Sequence, residues 1–248
     1  MIGAVERYIL ERIKEEGAIH LTLIDPEEVT APHASRVAKK AERCKTTAIM
    51  VGGSTSTSTS HLNSVVKAIK HTVGIPIILF PNNVTGISKY ADAIWFMSLL
   101  NSLDPYFLTG AQVLGAPLIK KHGLEALPLG YIIVGKGGAA GIVGRAVPIP
   151  FTKPEVAAAH ALAAQYFGMR FTYLEAGSGV SQPVPPTMIR IVKHSINIPL
   201  IVGGGIRNSK QAKTAVAAGA DIVVTGNVIE ETGTAGKFQK LVTTVREN

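Results

Sequence analysis

The chain has 248 residues, 46% hydrophobic and 17% charged, enough apolar material for one large core and within the span of one α/β barrel. Its one cysteine, Cys44, excludes an internal disulfide framework and a cysteine metal cluster, and no apolar run reaches the roughly 18 residues of a membrane span. The net charge is +8, from 25 Lys and Arg against 17 Asp and Glu. No dense basic run, zinc spacing or helix-turn-helix pattern comes with it, so small phosphorylated anions are a better match than nucleic acid.

The opening segment MIGAVERYILERIKEEG puts Val5, Tyr8, Ile9 and Ile13 on one face of a predicted helix. It lacks the basic-then-apolar order of a secretory signal, and a cytoplasmic location is expected. Eight apolar runs of strand length follow: HLTLI at 20–24, TAIMV at 47–51, IPIILF at 75–80, AIWFM at 93–97, YIIV at 131–134, FTYLE at 171–175, PLIVGG at 199–204 and DIVVTG at 221–226. Between them, SRVAKKAERC, PYFLTGAQVLGAPLIKKHG, PEVAAAHALAAQYFG and SKQAKTAVAAGA carry apolar residues at three- and four-residue spacing, the helical period. Strands apolar at every position belong to a parallel sheet covered on both faces. The expectation is an α/β chain folded as a single (β/α)₈ TIM barrel over residues 1–248, with an extra N-terminal helix. An open doubly wound sheet usually carries its glycine turn after the first strand, whereas the glycines here are densest near the end.

In such a barrel the active site forms where strands end and helices begin. The first strand ends on Asp25, followed by Pro26. Its bland alternative is a turn aspartate, and Glu27 and Glu28 read as acids of a first helical turn with no chemical role. The second strand ends in VGGSTSTSTS at 51–60, which has the composition of a linker but falls on the same rim as Asp25. Magnesium takes one or two carboxylates and completes its shell with hydroxyls, waters and substrate phosphates, so Asp25 with Ser54 or Thr55 is a candidate partial shell. The competing reading has these hydroxyls capping the next helix, a role expected of Thr57 to Ser60. Three later strand ends, YLEAGSG (173–179), VGGGIRN (202–208) and VTGN (224–227), are glycine-rich. Glycine lets backbone N–H groups approach a phosphate, and three such turns on neighbouring strands point to one.

The segments HLTLIDP, VGGSTS, FPNN, ADAIWFMSLLNS, YLEAGSG and GGGIRNSKQAKTAVAAGADIVVTGN resemble the geranylgeranylglyceryl phosphate synthase family over about 20–230. The resemblance implies prenyl transfer from geranylgeranyl diphosphate to the C3 hydroxyl of sn-glycerol 1-phosphate, with Mg2+, in the first ether bond of archaeal lipids. It implies Asp25 and Ser54 as metal ligands. For the glycerol phosphate it implies Tyr173, Leu174, Glu175, Ala176, Gly177, Ser178, Gly179, Gly204, Gly205, Gly226 and Asn227. It also implies a homo-oligomer, dimer or hexamer, with at most transient membrane contact. Glu175, the one carboxylate in the phosphate cluster, is the expected general base, with Tyr173 beside it; a purely ligand role for Glu175 is the alternative. Lys136 and Arg145 are candidates to meet the diphosphate, with simple solvation as the alternative. Trp95, Phe96, Met97, Leu100, Tyr106 and Tyr131 are candidate walls for the tail, with Trp95 limiting its length. The rival readings are a phosphate-binding barrel isomerase and a non-enzymatic phosphometabolite or nucleic-acid binder.

Overall fold

Strands buried on both faces leave no edge to spare, and the computed structural model, which describes residues 2–53, 58–226 and 235–247, closes them into a ring. The strands are β1 (Ile19–Ile24), β2 (Ala48–Val51), β3 (Ile77–Leu79), β4 (Ala93–Leu99), β5 (Glu125–Ile133), β6 (Phe171–Glu175), β7 (Leu200–Gly203) and β8 (Ile222–Thr225). Each pairs in parallel with the next, and β8 returns to β1 with Thr22 opposite Thr225. The outer ring holds α2 (Ala31–Arg43), α3 (Thr59–Lys70), α4 (Ala111–His122), α6 (Pro154–Tyr166), α7 (Pro186–Ser195), α8 (Ser209–Ala217) and α9 (Ala235–Arg246), with a short α5 (Gly138–Val143) after β5.

Alternation along the strands divides the core in two. Ile19, Leu21, Met50, Ile78, Trp95, Phe171 and Ile201 fill the lumen, while Ile49, Ile77, Ile132, Leu174 and Val202 meet the helices. The extra helix α1 (Ala4–Glu16) lies across the N-terminal end of the barrel and adds Val5 and Ile9 to the lumen cluster. Glu125, the first residue of β5, accepts the N–H groups of Val5 and Glu6, each at 2.8 Å, and so caps the helix start. Glu6 in turn holds Arg170, just before β6, through contacts of 2.5 and 2.7 Å. One end of the barrel is thereby closed, and the open end is where the strands finish.

Two boundaries differ from the sequence reading. β5 begins at Glu125 rather than near 131, because Pro128 and Gly130 interrupt an otherwise apolar strand. No helix starts at Glu27: residues 26–28 form a turn and α2 begins at Ala31, with Pro32 in its first turn. Ser58 accepts the His61 N–H at 3.2 Å as the N-cap of α3, so the end of the serine–threonine run does cap a helix.

Candidate active site

At the open end a cavity of about 370 Å³ is lined by Asp25, Tyr173, Glu175, Ser178, Gly179, Gly204, Gly205 and Gly226, which the strand order brings together from four consecutive strand ends, β6, β7, β8 and β1. Ser54, Thr55 and Asn227 lie outside the described residues. Leu174 and Ala176, expected among the ligand-binding residues, do not line it. Alternation turns Leu174 outward, and both are buried in the layer against the helices; the Ala176 N–H is used on the Gly203 carbonyl at 3.1 Å. Gly177 is also outside the wall, its N–H donating to Glu175 at 2.6 Å.

Glu175 ends β6 with a buried carboxylate. Besides the Gly177 N–H it accepts the hydroxyls of Tyr173 and Tyr131. These tyrosines sit side by side on β6 and β5, opposite one another in register, with ring centroids 5.2 Å apart and Phe80 stacked on Tyr173. Burial pushes the Glu175 carboxyl above the ordinary carboxylate range, and its three donors oppose that shift. Burial, followed by the Glu175 charge, raises both tyrosines well above the usual phenol value, so they remain donors. Gly204 has φ +84°, and a Cβ there would fall 2.6 Å from Glu175 Oε1. Glycine is therefore required for β7 to turn beside the carboxylate.

Asp25 is half-buried at the end of β1. Its Oδ1 accepts the Glu27 N–H at 3.0 Å, and burial raises its carboxyl, with the Glu27 N–H opposing. A Cβ on Gly53 would lie 2.2 Å from Asp25 Oδ2, so the backbone leaving β2 passes directly against the carboxylate. The glycine pair of the linker-like segment is thus a close approach rather than a hinge. Glu28, assigned no role from sequence, also lines the cavity, because the turn at 26–28 faces the mouth where a helical turn would have carried it away.

Among the described residues the charged side chains of the wall are Asp25, Glu28, Glu175 and Arg207. Arg207 bridges two glycine turns by donating to the Gly179 carbonyl at 3.0 Å. Sequence reading stopped at the glycines of GGGIRN, although an arginine two residues past them was the available signal. Lys136 and Arg145 do not line the cavity. Lys136 is exposed, and Arg145 points to Asp104 at 3.5 Å. Among the described residues no group of three His, Cys, Asp or Glu side chains gathers as a metal cluster.

The wall includes both faces of β4: Trp95, Met97 and Leu99 from the lumen side, Ile94 and Phe96 from the helix side. The cavity therefore passes over the end of β4 and continues between β4 and α4, where Ile87, Gly115 and Ile119 complete an apolar branch. Trp95 is fully buried, edge-on to Phe171 at 5.1 Å, and lines the cavity together with Ile94, Gly115 and Ile119. Leu100 and Tyr106 are not in the wall. Tyr131 is, but with its hydroxyl on Glu175.

The PcrB family model matches residues 11–246. The chain is 56% identical over 231 residues to the geranylgeranylglyceryl phosphate synthase of Thermofilum pendens, covering 93% of this chain and 90% of that one. It is 54% identical over 245 residues to that of Pyrococcus furiosus, covering 99% and 97%. The crystal structure of (S)-3-O-geranylgeranylglyceryl phosphate synthase from Thermoplasma acidophilum in complex with substrate sn-glycerol-1-phosphate matches with a TM-score of 0.94 at 38% identity, over 100% of both chains.

Proposed function

The chain belongs to the PcrB family, and we propose that it transfers a geranylgeranyl group from geranylgeranyl diphosphate to the C3 hydroxyl of sn-glycerol 1-phosphate. The observation that carries this reading is one continuous cavity, polar at the mouth around Glu175 and apolar along β4 and α4. An isomerase of small phosphorylated sugars has no use for the apolar branch; a prenyl tail does. The names of the close relatives point the same way.

In this reading the glycerol phosphate sits against Ser178, Gly179, Gly204, Gly205 and Gly226. Glu175 faces the glycerol hydroxyl, oriented by Tyr131 and Tyr173. During transfer the bond from prenyl C1 to the diphosphate oxygen breaks, with its electron pair leaving on the oxygen. The C3 oxygen bonds to C1, and its proton passes to the Glu175 carboxylate. A carboxyl raised by burial is a stronger base than an exposed one, and three donors hold its charged form in place.

Magnesium is assigned from the donor set. Asp25 is a hard oxygen donor at the mouth, and among the described residues the wall has three carboxylates against one guanidinium, a balance that repels two anionic substrates unless a cation is added; Ser54, the second proposed ligand, lies outside the described residues. When bound, the ion neutralises charge on the leaving diphosphate. A cytoplasmic setting fits the single free cysteine, Cys44. A homo-oligomer fits the exposure of apolar Leu103, Val113 and Ile142, at 77%, 70% and 81%.

The test is incubation with both substrates and magnesium, followed by mass spectrometry of the product. A prenylglyceryl phosphate ether is expected, lost with chelator and restored by magnesium. No ether from donors of fifteen, twenty or thirty-five carbons would contradict the reading.

A further inference from the structure

The net charge of +8 is not spread over the molecule. Residues 31–91, which include α2, α3 and the segment leading to β4, hold eight Lys and Arg and one carboxylate, a net +7. The rest of the chain holds 17 cations and 16 carboxylates, a net +1. On α2 the exposed side chains Arg36, Lys39 and Arg43 follow one another at three- and four-residue spacing, a single stripe. Helix α3, packed beside it, exposes Lys67 and Lys70, and Lys45 and Lys89 are exposed at the flanks. The one carboxylate of the segment, Glu42, is turned to the Gly74 N–H at 2.7 Å. Lys70 contacts Asp92 at 2.5 Å. The helix dipole explains cations in the last turns of α2 and α3, but it equally favours acids in their first turns, and neither helix has any.

The face also adjoins the apolar branch. Ile87 lines the branch, and two residues further on come Lys89 and Tyr90. The ammonium groups of Lys89 and Lys67 stand 5.4 and 5.7 Å from the centre of the half-buried Tyr90 ring. An aromatic ring between two lysines is the pairing that suits a headgroup layer, with the ring at the boundary and the cations on the phosphates.

We infer that the α2–α3 face is a docking surface for an anionic bilayer, holding the protein beside the membrane with its apolar branch next to the lipid from which a prenyl diphosphate is drawn. The choice of a bilayer over another polyanion rests on the transfer reading, since an amphiphilic donor partitions into lipid. Each cation near an anionic surface adds to binding, and the sum falls steeply with salt.

The test is co-sedimentation with phosphatidylcholine vesicles, with and without about one third phosphatidylglycerol, at about 50 and about 300 mM salt. The unaltered protein is expected to bind only the anionic vesicles and to release them at the higher salt. The variant Arg36→Glu/Lys39→Glu/Arg43→Glu/Lys67→Glu is expected to lose more than about a hundredfold in affinity. Its turnover with detergent-dispersed donor should remain within about twofold, since none of the four lines the cavity. Equal binding to neutral vesicles, no vesicle binding, or full binding by the variant overturns the inference. So does salt-sensitive binding of duplex DNA without vesicle binding. Because vesicle binding is read without turnover, a protein that binds vesicles but makes no ether contradicts the transfer reading alone.

Discussion

Glu175 is held by a Gly177 N–H at 2.6 Å and by two tyrosine hydroxyls, in a site that burial makes unfavourable for charge. If it removes the glycerol proton, kcat/KM falls as pH drops through its raised carboxyl value, because the protonated acid is no base. Removing a donor to the charged form raises that value further. In the variant Tyr131→Phe the acid limb of the pH profile is therefore expected to move to higher pH, and an unmoved limb would count against Glu175 as the base. Glu175→Gln keeps the size and a hydrogen-bonding oxygen but cannot take a proton. It is expected to bind glycerol phosphate with affinity near that of the parent, by calorimetry, and to lose about a hundredfold to ten-thousandfold in turnover. Unchanged turnover would reduce Glu175 to a ligand. The carboxylate could be found in the sequence because it stands alone among glycines at a strand end. Its two donors could not be found together: Tyr131 lies 44 positions earlier and meets Tyr173 only through the β5–β6 register.

At the scale of elements, the seam between β1 and β8 is stitched by a buried polar chain. His20 Nδ1 lies 2.9 Å from Thr46 Oγ1 and its Nε2 2.9 Å from Thr225 Oγ1. Thr46 gives its one hydroxyl proton to the His20 carbonyl at 3.0 Å and accepts from Thr22 at 3.1 Å. Nδ1 must therefore carry the ring proton, and Thr225 donates to Nε2. Burial lowers the His20 pKa to about 3. Below an unfolded value near 6.5, the unfolded chain takes up a proton that folded His20 refuses, so stability is complete above that pH and is lost as pH falls toward 3. The full loss is on the order of 5 kcal/mol. Denaturant midpoints between pH 6 and pH 4 should fall more steeply for the parent than for His20→Gln, which cannot titrate; equal slopes would contradict this. Elements with a uniform apolar pattern were legible, as all eight strands are. The start of β5 was not, because Pro128 and Gly130 look like breakers. Gly130 is needed there, since a Cβ would fall 2.5 Å from Ala164 Cβ on α6.

For the whole molecule, three asymmetries coincide. One end of the barrel is closed by α1, the other opens on the carboxylates, and the apolar branch leaves on the side of β4 and α4, next to the face that carries most of the net charge. The polar mouth was legible in the sequence because strand ends can be counted and glycines mark them. The branch was not, because a path over the end of a strand uses residues of both alternating sets, and no linear pattern distinguishes Ile94 and Phe96 from ordinary core. The charge excess of residues 31–91 is countable in the sequence, but Arg36, Lys39 and Arg43 form a stripe only once wound on a helix. The most direct measurement is a crystal structure with sn-glycerol 1-phosphate and a non-hydrolysable prenyl diphosphate bound together. The glycerol C3 hydroxyl is expected on Glu175, its phosphate at the tips of β6, β7 and β8, the diphosphate beside Asp25, and the tail between β4 and α4. A glycerol phosphate settled away from those tips, or a tail lying outside that branch, would contradict this placement.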